Sequence, residues 1–140
     1  MSQKYNIAVV GATGAVGSEI IQILDQRDFP IDNLYLLASS KSQGKKIQFK
    51  EREFIVENLA EFDFSKAHIG LFSPGGKVSA EYAPKAANAG CIVIDNTSFF
   101  RMNENVPLVV PEVNQDVLID FFNDKNRSNI IANPNCSTIQ

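Results

Sequence analysis

The chain has 140 residues, 44% of them hydrophobic, enough for one domain with a real core. Thirteen basic against sixteen acidic side chains give a formal net charge of -3, which disfavours a nucleic-acid or anionic-membrane surface. No apolar run approaches the roughly 20 residues that cross a bilayer, no signal-peptide cleavage site follows the start, and two cysteines in unrelated contexts fit a reducing cytosol.

Ile7-Ala8-Val9-Val10 is a continuous apolar run, the pattern of a strand buried on both faces. After Gly11, Gly14 and Gly17, the helical spacing of Val16, Ile20, Ile23 and Leu24 predicts one buried helix face. A turn around Asp28-Phe29-Pro30 leads to a second strand at Leu34 to Ala38, completing a right-handed βαβ unit. Short strands at Ile47 to Phe49 and Glu53 to Val56 form a hairpin excursion from the main sheet. Further buried strands are expected at Ile69 to Phe72 and Cys91 to Ile94. The helix between them, Val78 to Ala89, contains Pro84 and is expected to kink there. Asn114 caps a further predicted helix carrying Val117, Leu118, Phe121 and Phe122, and Asn129 to Ala132 is the last strand. The alternation predicts an α/β domain spanning residues 1–140: a doubly wound, mostly parallel sheet of Rossmann type.

Gly11, Gly14 and Gly17 are spaced GxxGxxG between a buried strand and an amphipathic helix. A backbone without side chains turns tightly there and lets a pyrophosphate approach the positive helix N-terminus. The same glycines also serve a tight turn that binds nothing, and it is their context that favours a dinucleotide. An NAD site normally ends the second strand with an acid that meets the ribose. Here the chain reads Ala38-Ser39-Ser40-Lys41-Ser42-Gln43-Gly44-Lys45, in which hydroxyls and lysines suit a 2′-phosphate. An ordinary solvated loop has a similar composition, so position rather than composition selects NADP.

Cys136 follows a strand and a Pro-containing turn, and Ser137-Thr138-Ile139 can open a helix. A thiol at a helix N-terminus ionises more readily and attacks acyl carbons, with the turn amides and the Asn135 side chain available to hold the oxyanion. Cys91, between Gly90 and an apolar run, fits a structural thiol. His68, the only histidine, follows a charged segment and reads as a solvated edge residue rather than a base. Tyr82 and Lys85 are separated by only two residues, so they are not the Tyr-x-x-x-Lys pair of short-chain dehydrogenases. No metal site is expected.

Together these motifs resemble the aspartate-semialdehyde dehydrogenase family. The resemblance runs through Gly11 to Gly17, Ala38 to Lys45 and Phe72-Ser73-Pro74-Gly75-Gly76. It continues through Asp95-Asn96-Thr97-Ser98-Phe99-Phe100-Arg101-Met102, Val110 to Asn114, and Asn133-Pro134-Asn135-Cys136-Ser137-Thr138. It implies reductive dephosphorylation of aspartyl phosphate to aspartate semialdehyde, a step toward lysine, threonine and methionine, with Cys136 carrying the acyl group as a thioester. It further implies that Thr13, Gly14, Ala15 and Val16 hold the cofactor phosphates, and that Ser39, Lys41 and Ser42 hold the 2′-phosphate. Ser73, Gly75 and Gly76 would approach the nicotinamide half, and Arg101 would bind the reacting phosphate. The family's catalytic His, its substrate Arg and its dimer-forming domain lie downstream. The resemblance therefore predicts that these 140 residues alone do not turn over, that the full enzyme is a cytoplasmic homodimer, and that its partners are small molecules. Lys41 stands where the family often has Arg, and Pro74 where Ala is common. N-acetylglutamyl-phosphate reductase has a similar layout, but usually Gly before and Tyr after the cysteine. A non-catalytic nucleotide-binding paralogue would need neither Cys136 nor Arg101.

Overall fold

The computed structural model describes residues 4–96 and 129–132. The chain runs β1 (Tyr5–Val10), α1 (Ala15–Gln26), β2 (Ile31–Ala38), β3 (Lys46–Phe49), β4 (Arg52–Ile55) and β5 (Glu57–Asn58). It continues through single 3-10 turns at Leu59–Glu61 and Phe64–Lys66 to β6 (Ile69–Phe72), α2 (Gly76–Asn88), β7 (Ile92–Asp95) and β8 (Ile130–Ala132). Six strands form one sheet in the order β5-β2-β1-β6-β7-β8, every pair parallel, and β3 and β4 make a separate antiparallel hairpin. This is the doubly wound, Rossmann-type arrangement. The predicted helix after Asn114 and the cysteine turn lie outside the described residues.

The continuous apolar runs are explained by two cores, one on each face of the sheet. Ala8, Val10, Leu37, Phe72 and Val93 pack on one face with Ala83, Ala86 and Ala87 of α2. Ile7, Val9, Leu34 and Leu36 pack on the other with Ile21 and Leu24 of α1. Alternate residues of β1 thus enter different cores, and neither face of the strand tolerates a polar residue. Alanines on α2 keep that helix close to the sheet, and it continues through Pro84 to Asn88.

The buried face of α1 differs from the expected one. Gly17, Ile21 and Leu24 face the core, whereas Val16 and Ile23 are 48% and 45% exposed. The helix is pulled onto the sheet where it has no side chain, so the buried stripe passes through Gly17 and rotates Val16 outward. The strand limits shift for local reasons. Asn129 has a left-handed φ of 61°, so β8 begins one residue later than expected. The Cys91 N–H closes α2 by donating to Ala86 O (3.1 Å), so β7 begins at Ile92. β2 starts three residues before the predicted Leu34 because its first residue continues into register with Tyr5.

Candidate dinucleotide site

Register places Leu37, Val10, Phe72, Asp95 and Ala132 abreast across five strands. This row lies at the C-terminal ends of the strands. β1 pairs with β2 on one side and with β6 on the other, so the connections from neighbouring strands leave toward opposite faces and open a crevice between them. A cleft of about 470 Å³ occupies that place. Its walls are Gly11, Thr13 and Gly14 after β1, Ala38 to Ser40 from the end of β2, Asn58 to Ala60 from the end of β5, Ser73 and Pro74 after β6, and Val78 and Tyr82 of α2.

The turn after β1 is packed backbone against backbone. Gly11 has φ 86°, and a Cβ on it would lie 2.9 Å from the Ser73 carbonyl carbon and oxygen. A Cβ on Gly17 would stand 2.0 Å from Gly11 O, which no shift of a flexible side chain could relieve. Leu37 O accepts the N–H groups of Gly11 (2.9 Å) and Ala12 (3.1 Å), fixing the turn to β2. Ser73 fixes it from the other side, its N–H (2.9 Å) and Oγ (3.3 Å) both donating to Val10 O. No side chain caps α1 and no acid occupies its first turn, so its N-terminal amides and dipole remain available to an anion. α2 starts in the same way, behind Gly75 at φ 102°. Two uncapped helix starts and a glycine-rich turn fit the diphosphate of a dinucleotide.

The loop after β2 is tied to the glycine turn. Thr13 Oγ1 donates to Ser42 Oγ at 3.3 Å, and Ser42 N–H donates to Ser39 O at 2.9 Å. Farther along, Gly44 N–H donates to Val56 O and Val56 N–H to Lys45 O, closing the loop against the segment that leaves the hairpin. Thus Gly11, Thr13, Gly14, Ser39 and Ser73 line the cleft, and Ser42 is linked to it through Thr13. Lys41 is exposed on the loop, Ala15 and Val16 are exposed in the first turn of α1, Gly17 is buried beneath the turn, and Gly75 and Gly76 start α2. Arg101, Asn135 and Cys136 lie outside the described residues.

Sequence reasoning missed Asn58, Leu59, Ala60, Val78 and Tyr82 as cleft residues. Val78 and Tyr82 are four apart on α2 and could have been found from that spacing. Lys85 Nζ sits 4.9 Å from the centre of the Tyr82 ring and holds it by a cation–π contact. Asn58 ends a two-residue strand that carries no apolar pattern, so its position comes only from the fold.

The remaining polar groups serve the scaffold. His68 is exposed at the opposite end of the sheet, where its Nδ1 accepts the Asn6 N–H (2.9 Å). Asp95 and Ser79 are fully buried, and Ser79 Oγ donates to Asp95 Oδ1 at 2.9 Å, joining α2 to the end of β7. Cys91 is fully buried, and desolvation pushes its thiol up to about 12. Once unfolded, this thiol ionises near 9, so between pH 9 and about 12 the folded state binds more protons and stability falls as pH rises. Cys91→Ala is expected to remove that part of the alkaline loss, and urea melts of both proteins at neutral pH and at about pH 10 check it.

Fold and cleft define the class: a Rossmann-type, dinucleotide-binding α/β domain. The family described as the NAD-binding domain of semialdehyde dehydrogenases matches residues 6–120. The chain belongs to that family. It is 56% identical over 140 residues to aspartate-semialdehyde dehydrogenase 2 of Vibrio cholerae, covering all of this chain and 40% of that protein. A crystal structure of aspartate semialdehyde dehydrogenase II from Vibrio cholerae complexed with ASA superposes with a TM-score of 0.92 at 54% identity, over 98% of this chain and 44% of that one. The Candida albicans aspartate semialdehyde dehydrogenase, crystallised with NADP, gives 0.76 at 26% identity over 97% and 44% of the two chains. The chain thus spans about two fifths of the length of the Vibrio cholerae relative.

Proposed function

We propose that this chain is the NADPH-binding segment, residues 1–140, of an enzyme that reduces L-aspartyl-4-phosphate to L-aspartate 4-semialdehyde. The substrate and dimerisation domain follows in the same polypeptide. The single observation that carries this reading is the common edge formed by Leu37, Val10, Phe72, Asp95 and Ala132. The described loops bearing Gly11, Ser39 and Ser73 all leave the strands at that edge and line the cleft. Relatives of this sequence are named for the activity, and two of their crystal structures hold ASA and NADP.

In this mechanism the Cys136 thiolate attacks the acyl carbon, the carbon–oxygen bond to phosphate breaks, and inorganic phosphate leaves a thioester on Cys136. Arg101 holds the phosphate oxygens with its planar fork. The Asn135 side chain and the turn amides stabilise the oxyanion. NADPH, when bound, supplies the hydride that reduces the thioester carbonyl. Collapse of the resulting thiohemiacetal breaks the carbon–sulfur bond and returns the thiolate. Thr13 to Val16 orient the diphosphate, Ser39, Lys41 and Ser42 the 2′-phosphate, and Ser73, Gly75 and Gly76 the nicotinamide half.

Titration of the folded protein with NADPH and with NADH, followed by nicotinamide fluorescence, tests the cofactor. The expected result is saturable binding at least about tenfold tighter for NADPH, one charge-assisted phosphate contact being enough for that. Equal or tighter NADH binding would remove the 2′-phosphate role from the Ser39 loop. At its full encoded length, the protein is expected to reduce NADP on addition of aspartate semialdehyde only when phosphate is present.

A further inference from the structure

The geometry points to Asn58 as a specificity-determining residue that adds an uncharged hydrogen-bond donor to the adenosine end of the cleft, directed at the 2′-phosphate. This rests on the NADPH reading above. In a dinucleotide domain the end of β2 meets the adenosine ribose, and an acid there selects the free hydroxyl. Here β2 ends at Ala38, whose side chain has no polar atom. Asn58 is the residue in register beside Ala38 on β5, and it lines the same cleft as Gly11, Thr13 and Ser39.

The orientation of its carboxamide is fixed by chemistry. The Ala60 N–H donates to the Asn58 side chain at 3.0 Å, and only the amide oxygen can accept it. The oxygen is thereby engaged in capping the following 3-10 turn, and the Nδ2 end of the half-buried side chain keeps two donors. An aspartate at this position would make the same cap but present a carboxylate oxygen instead. Asn58 therefore separates two properties that usually travel together: a capping oxygen for the fold and a donor for the ligand.

Asn58→Asp and Asn58→Ser both keep an oxygen that can cap Ala60, and both remove the amide donor. Each is compared with wild type at full encoded length by titration with NADPH and NADH, with a thermal melt to verify the fold. The expected result is about tenfold weaker NADPH binding for Asn58→Asp and about threefold for Asn58→Ser, with NADH affinity changed less than about twofold. Unchanged NADPH binding in both variants, or equal losses for the two cofactors, would overturn the role of Asn58 while leaving the NADPH reading standing. Failure of wild type itself to prefer NADPH would overturn both.

Discussion

Gly17→Ala is expected to destabilise the chain by about 3 kcal/mol and to abolish dinucleotide binding. In an ordinary exposed helix the substitution would help, by up to about 1 kcal/mol of helix propensity. Here the new methyl would stand 2.0 Å from Gly11 O and 2.8 Å from Gly11 C. The Gly11 backbone has nowhere to retreat, because its own Cα already faces the Ser73 backbone across a gap that a single Cβ would close to 2.9 Å. Relief requires α1 to lift from the sheet, which uncovers Ile21 and Leu24 and moves the uncapped amides away from the cleft. Gly14→Ala is the internal control, since its Cβ would meet nothing closer than 3.5 Å and its φ of -81° suits any residue. Urea unfolding separates the two variants, and nicotinamide fluorescence reads the loss of binding in Gly17→Ala. A Gly17→Ala protein of wild-type stability would contradict the packing described for the turn.

Cys136→Ala is expected to lower turnover at full encoded length by about 10⁴-fold or more, in the range seen when a covalent nucleophile is removed. NADPH affinity is expected to stay within about twofold of wild type, because binding draws on the turns after β1, β2 and β6 rather than on the thiol. Steady-state rates of phosphate-dependent NADP reduction, with the fluorescence titration as control, test both parts. Turnover within tenfold of wild type would remove Cys136 from the chemistry. Cys91 offers no substitute nucleophile, since it is buried beside Gly70 and its thiol is held protonated up to about 12.

Much of this architecture was legible because parallel strands buried on both faces must be written as unbroken apolar runs. Ile7 to Val10 and Ile69 to Phe72 could be little else, and the glycines between a strand and a helix marked the turn that lines the cleft. What escaped was set by contacts distant in sequence. The buried face of α1 depends on Gly17 meeting Gly11, so counting apolar residues selected Val16 and Ile23, which are half exposed. β5 has only Glu57 and Asn58, with no periodicity to detect, yet it brings Asn58 beside Ala38. Cys91 was read as opening a strand because it is apolar, whereas its N–H terminates α2. Side-chain character predicted where residues are buried; backbone hydrogen bonds decided where elements stop.

The central position of β1 also governs the order in which this protein can be built. β1 is made before either neighbour, but it is flanked by β2 on one side and β6 on the other, and Ser73 closes on Val10 across a sequence separation of 63. A growing polypeptide can assemble the first βαβ unit and the β3–β4 hairpin while one edge of its most apolar strand still lacks a neighbour. The cleft is incomplete at that stage, because Ser73 and Pro74 after β6 and Val78 and Tyr82 of α2 form one of its walls. Ligand therefore cannot template the early steps, and the long-range pairing of β6 with the Ile7-to-Val10 edge is the contact expected to form late. Until that event occurs, the segment that later anchors the cofactor loop is also the segment most open to pairing with another chain.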